Sequence, residues 1–164
     1  MAPAAKPIPE GFHTVTPQLV CRGAERALEF YKNAFGAEIL SVSKDGKQNI
    51  MNAQIKIGDS IVMVVDEFPQ WHCLSPLSLN GTPVTLHIYT TDADAAFAKA
   101  VAAGAEVKMP PMDAFWGDRY GQVSDPFGHF WSIATRTHDF TQEEMQAAAQ
   151  KAFAEMAKHQ TAGN

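Results

Sequence analysis

Apolar and polar positions along this chain follow one order of periods, and that order is written twice. Residues 14–21 alternate with a period of two, Thr16 and Gln18 against Val15, Leu19 and Cys21, which predicts a strand with Pro17 near an exposed edge. Over residues 24–35 the spacing changes to three and four (Ala27, Leu28, Tyr31, Ala34, Phe35), the stripe of a buried helix face, and Gly36 supplies its C-cap. Strands are predicted at 37–43, 50–57 and 60–65, joined by the turns Lys44-Asp45-Gly46-Lys47 and Gly58-Asp59. Residues 66–82, with Pro69, Pro76 and Asn80-Gly81, read as a linker long enough to fold over something. Then come a strand at 84–90, a helix capped by Asp92 and running to about 103, and a strand at Val107 that Pro110 and Pro111 should keep short. Strands near 119–124 and at 130–134 complete the second run.

Both helices end at Gly-Ala-Glu and enter an apolar strand, Gly36-Ala37-Glu38-Ile39 and Gly104-Ala105-Glu106-Val107, 68 residues apart; Gly58 and Gly128 match at an offset of 70. Two copies at so long a period predict a duplicated half-domain, with function sought in a cleft the halves share. The expected organisation is one α+β domain over 12–136 made of two β-α-β-β-β modules, 14–66 and 83–136. A loose Pro/Ala-rich arm over 1–12 precedes it. A tail over 137–164 follows, with a helix at about 142–158. Thr141 and Glu144 form its capping box, and Met145, Ala148, Ala152, Phe153 and Met156 its apolar stripe, which lies across the domain or against a partner subunit.

Composition narrows the classes. The chain has 164 residues, 46% apolar and 19% charged, an ordinary globular balance. A net charge of −5 without a Lys/Arg cluster argues against nucleic acid. No run approaches a membrane span and the N-terminus lacks an apolar signal region, so a cytoplasmic location is expected. Cys21 and Cys73 have no metal-ligand spacing, and no glycine-rich nucleotide loop, Ser-His-Asp spacing or His-Glu-x-x-His motif occurs.

Several segments carry a family likeness: Ala27-Leu28-Glu29-Phe30-Tyr31 with Phe35-Gly36-Ala37-Glu38, Asp66-Glu67-Phe68-Pro69, Trp116-Gly117-Asp118-Arg119-Tyr120-Gly121, and Asp125-Pro126-Phe127-Gly128-His129. Together they resemble the vicinal oxygen chelate superfamily, which includes glyoxalase I, extradiol dioxygenases and the bleomycin and fosfomycin resistance proteins, and most nearly its PhnB-like branch. The resemblance implies a curved mixed sheet around a cleft, helices on its outer face, and homodimers in which sheets complete each other's barrels. Some PhnB-like proteins carry a demethylubiquinone methyltransferase label, for which this chain shows no cofactor-binding signature.

Metal-dependent members place His, Glu or Gln at four inward positions. Carried over, these fall at Thr16, Met63, Thr85 and Ser132; a shift of two residues would bring in Gln18 and His87. Hydroxyls and a thioether are poor ligands for a divalent ion, so no catalytic metal is expected. Period-two geometry points Thr85, His87, Tyr89 and Ser132 inward, and His87 is the sharpest polar candidate, as a ligand contact or general base or else as a hydrogen-bonded wall residue. Trp116, Arg119 and Tyr120 suit the rim of a small-molecule pocket, with Arg119 clamping a carboxylate or phosphonate; the alternative is an Asp118–Arg119 arrangement that fixes the turn. Asp125 to Gly128 reads as hairpin geometry. The expected activity is binding of a small molecule without metal. The alternatives are a metal-dependent lyase, isomerase or dioxygenase acting on vicinal oxygens, and a structural or regulatory dimer with a vestigial pocket.

Overall fold

Two β-α-β-β-β units follow one another along the chain in a computed structural model that describes residues 6–161, with side chains of the last helix described through Lys158. Residues 1–5 of the expected arm and 162–164 of the expected tail lie outside the described residues. The first unit is β1 (Gln18–Cys21), α1 (Ala24–Phe35), β2 (Glu38–Lys44), β3 (Ile50–Ile57) and β4 (Ser60–Asp66). Its strands form one sheet in the order β1-β4-β3-β2, with β1 parallel to β4 and the other pairs antiparallel. After a 3-10 turn at Pro69–Trp71 and the single helical turn α2 (Pro76–Leu79) come β5 (Thr85–Tyr89), α3 (Ala93–Ala102), β6 (Glu106–Asp113), β7 (Asp118–Ser124) and β8 (Phe130–Arg136). They make the matching sheet β5-β8-β7-β6. The helix α4 (Gln142–Thr161) closes the chain, capped reciprocally by Thr141 and Glu144 as the capping box predicts.

Each unit ties its helix to its last strand with a side chain. The Asp66 carboxylate accepts the Ala24 amide at the start of α1 and the Ile50 amide of β3, both at 2.7 Å. In the second unit the Thr135 hydroxyl oxygen accepts the Ala93 amide at 2.8 Å, while Asp92 caps the Ala95 amide. Gly36 ends α1 at φ 67°, a left-handed conformation that suits a residue without a Cβ, and its amide closes on the Lys32 carbonyl.

Two boundaries depart from expectation for traceable reasons. β1 begins at Gln18 rather than residue 14, since Pro17 has no amide to donate and only its carbonyl enters the ladder, accepting from the Met63 amide. β6 runs straight through Pro110 and Pro111 to Asp113. It is an edge strand with two register shifts, so the missing donors fall outside the ladder.

The core lies between the sheets rather than under either one. Leu19, Cys21, Ala53, Ile55, Val62 and Val64 from the first sheet and Val123, Trp131 and Ile133 from the second converge on α1 and α3. The Trp131 ring of β8 stands 5.5 Å from Tyr31 and 4.6 Å from Phe35, both on α1. The two units of one chain therefore meet through their helices.

The linker is pinned by Glu67. Its carboxylate accepts the Ser75 amide and hydroxyl, each at 2.7 Å, and Arg22 approaches its other oxygen at 3.5 Å. Hydrogen bonds from Ser78 and Ser75, helped by Arg22, hold this carboxyl down to about 2. A carboxyl held below its unfolded value contributes stability that is present above about 4.5 and lost as pH falls toward about 2. Glu67→Gln is expected to flatten the acid limb of the stability curve across that window, read by urea unfolding at stepped pH. An unchanged slope would mean that the linker is not held this way.

Candidate functional site

Because the helices cover one face of each sheet, the other face stays open, and period-two geometry decides what stands on it. In the first sheet the register aligns Gln18 of β1, Met63 of β4 and Gln54 of β3 in one row. In the second it aligns His87 of β5, Ser132 of β8 and Gln122 of β7. These rows are equivalent under the internal repeat. Their neighbours Ala53, Ile55, Val123, Trp131 and Ile133 all face the helices and are buried, which fixes the parity.

Strand register shows which of the alternative carried-over positions share a row. Thr16 precedes β1 and donates its hydroxyl to the His13 carbonyl at 3.2 Å, so it is no part of the sheet. Thr85 pairs with Phe130, one rung of the same face away from the row. Gln18 and His87 stand beside Met63 and Ser132 instead. Gln54 and Gln122 escaped the sequence reading, yet they were findable: they lie 68 residues apart, the same offset that aligns Gly36 with Gly104.

This donor set does not suit a divalent ion. It offers one imidazole, a thioether, a hydroxyl and neutral amides, where catalytic zinc takes three strong protein ligands. The one imidazole is already engaged, with His87 Nδ1 2.7 Å from Ser132 Oγ. Among the described residues no group of three or more His, Cys, Asp or Glu side chains is placed to hold a metal.

What the second open face does carry is an aromatic wall. The His87 ring lies 4.5 Å from Tyr89 and 6.1 Å from Tyr120, nearly parallel to the latter at 26°. Trp116 meets Tyr120 edge-on at 5.2 Å, and Phe115 joins Trp116 to Phe153 of α4. His87 and Tyr89 are exposed, whereas Trp116 and Tyr120 are half-buried.

Asp118 organises the wall. It is 1% exposed; its Oδ2 accepts the Trp116 indole N–H at 3.0 Å and the Tyr89 hydroxyl at 3.2 Å. Arg136 Nε lies 3.0 Å from Oδ1, an ion contact whose angle is too poor for a hydrogen bond. The remaining Arg136 nitrogens reach the Trp116 carbonyl and the Tyr89 hydroxyl, so this guanidinium braces both rings. Proximity of Tyr89 and Asp118 raises the Arg136 pKa above its ordinary value.

Arg119 behaves otherwise than as a ligand clamp. It points to the opposite face of β7, where Asp94 of α3 takes its Nη2 at 2.9 Å and its Nε at 3.0 Å, and Asp113 takes Nη1 at 3.4 Å. Alternation along β7 explains this: Asp118 and Tyr120 share the open face, so Arg119 between them cannot. The expected Asp118–Arg119 pairing is likewise replaced by Asp118–Arg136 and Asp94–Arg119.

The Asp125-Pro126-Phe127-Gly128-His129 segment joins the two units. Asp125 Oδ1 accepts the Phe127 and His129 amides at 2.9 Å, closing its turn, while Oδ2 accepts the Tyr31 hydroxyl at 2.8 Å and the Trp131 indole at 2.9 Å. His129 Nε2 lies 3.1 Å from the Val20 carbonyl of β1. Burial raises the Tyr31 hydroxyl well above its ordinary pKa and pushes the Cys21 thiol beside it up to about 12. Both therefore stay neutral near neutral pH, and both Asp125 oxygens are engaged in holding the turn and the two units.

Known proteins are similar to this chain in sequence and fold. An uncharacterized protein of Mycobacterium tuberculosis (strain H37Rv) is 42% identical over 139 residues, covering 82% of this chain and 81% of that one. The X-ray structure of an Arabidopsis thaliana gene product is 31% identical, covers 75% of this chain and 98% of that chain, and superposes with a TM-score of 0.61. The PhnB protein of Bacillus cereus shares the fold at 20% identity and a TM-score of 0.58, over 75% of this chain and 99% of that one. With the model of the Glyoxalase/Bleomycin resistance protein/Dioxygenase superfamily matching residues 11–133, this chain belongs to that superfamily.

Proposed function

We propose that this protein binds a small, partly apolar molecule on its open sheet faces without a catalytic metal, and does so as a homodimer. The observation that carries the reading is the braced aromatic wall of His87, Tyr89, Trp116 and Tyr120 on an otherwise uncovered face. Rings fixed in mutual contact and open on one side offer a preformed surface for a flat or apolar ligand, with His87 and Tyr89 supplying polar contacts. The poor donor set supports binding over the metal-dependent lyase, isomerase or dioxygenase chemistry of relatives. Dimerisation is supported by the open faces themselves. A second copy can set its Gln18–Met63–Gln54 row opposite the His87–Ser132–Gln122 row and enclose a cleft. Free thiols at Cys21 and Cys73 support a reducing, cytoplasmic setting. No helix among the described residues is long and apolar enough to cross a membrane.

Calorimetric titration of chelator-stripped protein with Zn²⁺, Ni²⁺, Fe²⁺ and Mn²⁺ is expected to show weak binding only, and one tightly held ion per subunit would overturn the metal-free reading. The apolar dye 1-anilinonaphthalene-8-sulfonate is expected to bind the wall, with Trp116→Ala lowering its affinity about fivefold to tenfold. Equal affinity of the variant would remove the wall from the site. Sedimentation of the same samples should give twice the 17.9 kDa of one chain.

A further inference from the structure

A crevice lies on the helix side of the sheets, away from the aromatic wall. Where the C-terminal end of α1 passes α3, Ala34, Phe35, Ile57, Ile88, Ala96 and Ile133 enclose a crevice of about 140 Å³. It lies on the boundary between the repeats: Phe35 and Ile57 come from the first unit, and Ile88, Ala96 and Ile133 from the second. Its walls are apolar. The crevice is open to solvent on one side, and its volume is close to that of a cavity that holds one benzene ring.

Its rim is not apolar. Thr90 and Lys99 of α3 complete the lining. Lys99 is exposed along its length, yet its ammonium is folded back toward the end of α1, where a Cβ placed on Gly36 would stand 3.8 Å from Nζ. Among the described residues the Lys99 ammonium makes no hydrogen bond or ion pair, while the Gly36 and Ala37 amides close on the Lys32 and Tyr31 carbonyls at the end of α1. An uncommitted ammonium over a ring-sized apolar crevice has the complementarity of a small aromatic carboxylate.

We propose that this crevice is a second binding site, distinct from the open-face site, and that it takes a monocarboxylate with an apolar body about the size of a benzene ring, paired with Lys99. Ile88 and Ile133 form its back wall and are the chain neighbours of His87 and Ser132. An occupant therefore rests on the reverse side of the strands that carry the aromatic wall, and it bridges the two units.

Benzoate is the probe, with benzamide as the uncharged isostere and acetate as the anion without a ring, followed by the amide resonances of the full-length protein. Benzoate is expected to shift Phe35, Ile88 and Ile133 with a dissociation constant on the order of 1 mM, while acetate moves none of them. Lys99→Met should weaken benzoate about fivefold and leave benzamide unchanged, since a rim ion pair contributes modestly. Ala96→Leu, which fills the crevice, should abolish both, and His87→Ala should alter neither. Lys99 is exposed, so its variant keeps the test decisive if Ala96→Leu folds poorly. Benzoate shifts confined to the open face, no shifts at all, or equal affinity in Lys99→Met would each overturn the proposal.

Discussion

Asp125→Ala is expected to remove at least about 4 kcal/mol of folding stability, read as a drop in the urea midpoint with the slope retained. Four donors lose their acceptor at once: the Phe127 and His129 amides, the Tyr31 hydroxyl and the Trp131 indole. Tyr31 and Trp131 are at most 2% exposed, so water cannot replace the carboxylate at either side chain. Each stranded buried donor costs about 1–3 kcal/mol, and against a total near 5–15 kcal/mol the variant stands at the edge of folding. Asp125→Asn should be milder. Its amide oxygen can serve the two backbone donors, and the Tyr31 hydroxyl can turn to accept, which leaves the indole N–H facing another donor. A loss below about 1 kcal/mol for the alanine variant would show that the units are joined by packing alone.

Gly117→Ala is expected to cost about 2–4 kcal/mol and to disorganise the aromatic wall with it. Gly117 has φ +91°, and an added Cβ would fall on the His138 carbonyl oxygen, with a Phe140 ring atom at 3.2 Å. The Gly117 carbonyl also accepts the Thr137 and His138 amides, so the obstruction is backbone against backbone and no rotamer change relieves it. Its neighbours Trp116 and Asp118 are the ring and the carboxylate that the wall depends on. The variant should therefore lose dye binding at temperatures where it is still folded. Retained binding with normal stability would mean that the 137–140 segment moves aside freely.

The fold was largely legible because its signals are local and repeated. A helix stripe that ends at Gly-Ala-Glu twice, and alternation that changes period at Gly36 and Gly104, need no tertiary information. Which face of each strand is open also followed from alternation, since Thr85, His87, Tyr89 and Ser132 share a parity. Strand order was harder to read. Nothing local says that β6 is an edge, so Pro110 and Pro111 seemed to end a strand that runs through them. The site was less legible for the same reason. Gln18 sits opposite Met63 only because β1 pairs with β4 in one register, and that register depends on pairing across 45 residues. Asp118–Arg136 is a cross-strand pair of β7 and β8 and Asp94–Arg119 joins α3 to β7, so adjacency in the chain suggested the wrong pair.

The Asp125 carboxylate also bears on the history of the molecule. Each half carries its own sheet, helix and tether, the parts expected of an ancestor half this length. Yet in the present chain Tyr31 of the first half depends on an acceptor supplied by the second, and Asp125 is fully satisfied only with that hydroxyl in place. Separating the halves at the linker would expose to water the Tyr31 hydroxyl and the Asp125 carboxylate that now satisfy each other. In the present chain the halves differ at Gln18 and His87, and at Met63 and Ser132, while that one hydrogen bond keeps them joined.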